Sequence, residues 1–184
     1  MTEGASSHPL FTIGHSTRSV AELVELLDRA EVRLVVDVRT VPRSLRNPQF
    51  NRDVLPDTLA AAGIGYEHLP SLGGLRGKTP RMPADVNAFW TNQSFHNYAD
   101  YAMGEAARVG LVRLLEIGRR ERCAIMCAEA VWWRCHRRII ADYLLSRGET
   151  VLHILAPGSV ELAQLTPAAR RRADGTLTYP GRTA

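Results

Sequence analysis

Short, nearly unbroken apolar runs recur along this chain with helical patterns between them, at 10–14, 34–39, 123–128 and 150–155. Such runs suit strands covered on both faces, as in a parallel sheet. Between the first two, Ser19 and Glu22 have the spacing of a capping box. Val20, Leu23, Val24 and Leu27 follow it at the i, i+3, i+4, i+7 positions of a buried helical face. Strand, helix, strand is a βαβ unit, whose crossover is right-handed.

Further along, a short helix over 54–62 stops at Gly63, and a helix over 135–147 stops at Gly148. A long helical pattern covers 95–120, with Gly104 and Gly110 weakening its middle. Residues 66–69 read as a short strand, and 71–82 as a mobile surface loop rich in Gly and Pro. Four or five strands alternating with helices predict a single-domain α/β fold: a doubly wound, mostly parallel sheet flanked by helices. Residues 1–9 are expected to be a disordered N-terminal segment. The single domain then spans 10–184, with a basic C-terminal tail carrying Arg170, Arg171 and Arg172.

Hydrophobic residues make up 45% of the 184, enough for a core and too many for a disordered chain. Cys123, Cys127 and Cys135 are an odd set, and 1–9 has no apolar leader. That argues for the cytoplasm and against a secreted disulfide scaffold. No run approaches the roughly 18 apolar residues of a membrane span, so no membrane partner is expected. The net charge of +4 and pI near 9.3 favour an anionic partner. A small anionic ligand is expected, and nucleic acid stays open as an alternative. No dinucleotide or Walker glycine motif lies between a strand and a helix, so nicotinamide and ATP-hydrolysing chemistry are disfavoured. The cofactor is unassigned.

Ligands of open α/β sheets bind outside the carboxyl ends of the strands. The first run delivers His15, Ser16 and Thr17 there, the second Asp37 and Arg39, the third Cys127 and Glu129. The last helix opens with Cys135, His136 and Arg137. Cys127 is either a small buried hydrophobe or a thiol activated by Arg134, His136 and Arg137. His15 caps a helix or acts as a general base or ligand donor. Ser16 and Thr17 cap or hold an anion. Asp37 and Arg39 form an ion pair or join a site, and Arg39, Arg43 and Arg46 are solvated or clamp a phosphate. Trp132 and Trp133 pack or stack on a planar ligand. Metal is not assigned, because adjacent helical residues point about 100° apart. A Cys127–Cys135 redox pair has an eight-residue offset rather than the usual Cys-x-x-Cys.

The motifs at 12–17, 37–39, 127–129 and 135–137 resemble those of the family known as domain of unknown function 488, over about 11–155. The resemblance implies the fold and the site positions, and names no reaction. The combined reading is a thiol-dependent transferase or hydrolase acting on a small phosphorylated or nucleotide-like anion. Cys127, His15 and Glu129 are its catalytic candidates. Ser16, Thr17, Asp37, Arg39, Cys135, His136 and Arg137 are its binding candidates. The alternatives are a nucleic-acid-binding module and a cysteine-based redox or metal sensor.

Overall fold

The computed structural model describes residues 8–181. The first seven residues of the segment expected to be disordered lie outside the described residues. Six strands form the main sheet: β1 (Leu10–Gly14), β2 (Leu34–Asp37), β3 (Gly65–His68), β4 (Cys123–Cys127), β5 (Val151–Ala156) and β6 (Ser159–Leu162). Their order is β3-β2-β4-β1-β5-β6. All pair in parallel except β6, which runs antiparallel to β5 at one edge. This is the expected doubly wound α/β sheet, with one reversed edge strand.

Helices α1 (Val20–Arg29) and α2 (Leu55–Ala61) cover one face. Their Leu23, Leu27, Leu55 and Leu59 pack with Phe11, Ile13, Val35 and Met126. Helices α3 (Gln93–Ala102), α4 (Glu105–Arg120) and α5 (Arg137–Leu145) share the other face, with Leu10, Val36, Ile125 and Val151. Alternate residues of β1 therefore feed opposite cores, which is why its run is apolar throughout.

The winding places the site. The chain leaves β1 for α1 on one face and leaves β4 for α5 on the other, and β1 and β4 are neighbours. Adjacent strands whose connections diverge open a crevice at their carboxyl ends. Gly14 pairs with Cys127 at that end, so the two strands finish level.

Several local readings shift. The pattern over 95–120 is two helices, with Gly104 capping α4. Helix α5 starts at Arg137, which leaves Cys135 in extended backbone ahead of it. The stretch 71–82 does not stand off as a surface loop along its length: Leu72 is buried and Gly73 packs against Thr40. Beyond Ala156 the chain is folded through residue 181. After β6 it forms the ribbon β7 (Arg170–Arg171) and β8 (Leu177–Thr178) and buries Ala163, Ala169, Leu177 and Tyr179. Arg170, Arg171 and Arg172 are exposed.

Candidate functional site

A cleft of about 340 Å³ opens at the β1/β4 divergence. His15, Cys127, Cys135 and His136 form part of its lining, with Val41, Leu75 and Phe95 as apolar wall and Arg43, Glu129 and Arg134 exposed beside them. The 73–74 glycines let the chain close one side: a side chain at Gly74 would collide with the His136 ring. On the opposite side, a side chain at Gly14 would strike the Glu129 carbonyl.

Four groups converge on the Cys135 sulfur. Cys127 Sγ stands 2.7 Å from it, and His136 Nδ1 3.5 Å. Arg137 supplies its Nε–H at 3.3 Å and its backbone N–H at 3.5 Å. The α5 N-terminus adds the positive end of its dipole. His136 Nε2 donates to the Val38 carbonyl at 3.2 Å, which leaves Nδ1 as a bare acceptor facing the thiol. Burial pushes the Cys135 thiol up, but the Cys127 S–H, His136 and Arg137 outweigh it and hold Cys135 well below the usual thiol range. Cys127 moves the other way, raised by burial and by the negative sulfur beside it. Cys123 begins β4 in the core, and burial lifts it to about 12.

Arg137 is buried and does not face the open cleft. Its remaining donors bind the Glu129 carbonyl at 2.6 Å and Thr12 Oγ1 at 3.5 Å. Thr12 is joined to His153 Nδ1 at 2.7 Å, and Trp132 stacks on that ring at 4.5 Å. Sequence reasoning missed this Thr12–His153–Trp132 support, since nothing local links positions 141 residues apart. Trp132 is thus committed to packing, while Trp133 is 45% exposed.

A second buried cluster lies at β2 and β3, across β4 from β1. Arg39 grips Asp37 with Nε at 2.9 Å and Nη2 at 2.6 Å, and Tyr66 donates to the same carboxylate at 2.6 Å. Arg39 also reaches the Phe50 carbonyl and His15 Nε2, leaving one N–H at the cleft. His15 Nδ1–H donates to the Ser16 carbonyl, and burial with Arg39 nearby drops the ring to about 4. A neutral His15 whose Nε2 is occupied orients Arg39 more readily than it accepts a proton from a substrate.

The structure brings His15, Arg39, Cys127, Glu129, Cys135 and His136 to one cleft. It does not bring Ser16, Thr17, Asp37 or Arg137 into its lining. The α1 start carries the Ser19–Glu22 capping box, which takes the N–H groups of Ser19 and Glu22. The cleft has other cations: Arg43 and Arg134 are exposed at its edge, whereas Arg46 is not in its lining. The Gly73–Gly74 pair was the readable signal for the missed wall of the cleft.

Among the described residues, Cys127, Cys135 and His136 are the donor set that could hold a soft cation, with ligand atoms within 4.8 Å of one another. Cys135 and His136 face each other because Cys135 precedes the helix. The buried Arg137 already aims two N–H groups at the same sulfur, and its charge opposes a second cation there.

No curated protein and no solved structure matches the chain. The family model for the domain of unknown function DUF488 matches residues 19–144. That span holds the second strand-end motif, both site cysteines and the Cys135-His136-Arg137 helix start, and the chain belongs to the DUF488 family.

Proposed function

We propose that this protein is a thiol-dependent enzyme in which Cys135 attacks a small anionic substrate held in the cleft. The observation that carries the reading is the convergence of Arg137, His136 and Cys127 on one sulfur at a helix N-terminus. A cysteine that merely packs needs no such partners, whereas a thiolate nucleophile needs positive charge and a base. His136 Nδ1 takes the Cys135 proton, and the imidazolium then donates back to the sulfur. Cys127, the strand-end thiol, stays protonated and donates to the same charge. Arg39, Arg43 and Arg134 would pair with the anionic part of the substrate. Val41, Leu75 and Phe95 would hold its apolar part.

Residue-resolved alkylation with iodoacetamide from about pH 5 to 9 tests this. Cys135 should label fastest and retain its rate at the acid end. Cys127 should follow only as pH rises, and Cys123 should stay unlabelled in the folded chain. Arg137→Met should slow Cys135 at pH 6 by about tenfold or more, the effect expected from raising a thiol pKa by one unit. Equal labelling of Cys135 and Cys123 would return both to packing roles.

A further inference from the structure

Resting on the reading of Cys135 as nucleophile, we infer that Cys127 is its resolving thiol. The electrophile is then the sulfur–sulfur bond of a small disulfide with an anionic group and an apolar body. Two observations carry this beyond a general thiol enzyme.

The first is the placement of the sulfurs. They stand 2.7 Å apart, about 0.7 Å beyond bonding distance. Cys127 is fixed at the end of a strand paired on both sides. Cys135 sits in extended backbone between a 3₁₀ turn and α5. Besides Cys135, the Cys127 thiol faces the Glu129 carbonyl at 4.0 Å and the Arg137 guanidinium. It is placed to reach Cys135.

The second is what surrounds the nucleophile. Attack on a carbonyl or phosphoryl centre builds charge on oxygen, and free N–H donors must meet it. Three of the backbone N–H groups around the sulfur are already used. Arg134 N–H donates to Val131, Cys135 N–H to Trp132 and Arg137 N–H to Cys135 Sγ itself. Thiol–disulfide exchange needs no such donors, because the charge passes from sulfur to sulfur.

The electrons balance as follows. The Cys135 thiolate attacks one sulfur of R–S–S–R, forming a mixed disulfide and releasing RS⁻. Cys127 gives up its proton and attacks Cys135 Sγ, breaking the mixed disulfide and releasing the second RS⁻. The two protons, one from His136 and one from Cys127, end on the two leaving thiols. The substrate gains two electrons and two protons, and the cysteine pair is oxidised to an intramolecular disulfide. A small dithiol restores the reduced pair.

The test mixes the reduced full-length chain with 5,5′-dithiobis(2-nitrobenzoate), an anionic aryl disulfide, in the absence of oxygen. Wild type should release two equivalents of thionitrobenzoate, retain no adduct, and give a Cys127–Cys135 cross-link on peptide mapping. Cys127→Ala should release one equivalent and keep the aryl adduct on Cys135. If that variant fails to fold, the wild-type peptide map alone decides. Wild type that keeps the adduct on Cys135 with Cys127 free overturns this inference and leaves the thiol-enzyme reading standing. A Cys135 no faster than Cys123 overturns both. One tightly held Zn²⁺ per chain that blocks both sulfurs also overturns the resolving role.

Discussion

Cys135 gathers its partners because α5 begins two residues later than periodicity suggests. Reading the helix from 135 makes Cys135 and His136 diverge. With His136 as the N-cap residue, they meet. The motif residues were legible in the sequence, and so were the arginines at the cleft, Arg39, Arg43 and Arg134. Which sulfur holds the charge was not, because Arg137 settles it and its buried direction depends on Thr12 and the Glu129 carbonyl. The buried histidines give a further test. Burial holds His15 and His153 at about 4, while the unfolded chain takes up these protons near pH 6.5. Between those values the unfolded state binds more protons, so stability is complete above pH 6.5 and declines toward pH 4. Each group contributes up to about 3 kcal/mol to the decline. Urea midpoints at several pH values should show this, with a shallower slope in His153→Gln. An unchanged slope would assign the decline to other groups.

Elements whose signals are local were readable: the Ser19–Glu22 capping box, Gly63 and Gly148 in the left-handed region, and the apolar strands of the sheet centre. The elements that were missed depend on distant partners. β6 is an edge strand that exposes Val160 and Leu162, and it exists by pairing with β5. The β7–β8 ribbon has two residues a side and is tied down by the Tyr143 hydroxyl to Leu177 N and by Tyr179 to Asp142. Two substitutions probe elements separately. Ser19→Ala should cost about 1 kcal/mol by removing the α1 cap, seen as a lower melting temperature with cleft labelling unchanged. Gly74→Ala should push the His136 ring from the Val38 carbonyl, slowing Cys135 alkylation several-fold while the melting temperature moves little. A large melting change with unaltered labelling would show that Gly74 serves packing rather than the cleft.

At the scale of the whole molecule, the doubly wound order sets the cleft between β1 and β4, with Cys135 on one connection and His15 and Arg39 on the others. The burial of Arg137 then has a consequence for how oxidation state and conformational stability are linked. If Cys135 is the thiolate proposed above, its charge neutralises that guanidinium in the reduced chain. A disulfide is neutral, so oxidation would strand a buried positive charge with only a carbonyl and a hydroxyl as partners. Leaving such a charge unpaired costs about 3–5 kcal/mol. The cross-link itself, closing so short a loop, returns roughly 2–3 kcal/mol. Oxidised protein should therefore melt no higher than reduced protein, against the usual effect of a cross-link. In Arg137→Met the order should invert, with the oxidised chain the more stable. By the same linkage the disulfide would be more readily reduced when folded than when unfolded, which favours its return to the dithiol after each turnover.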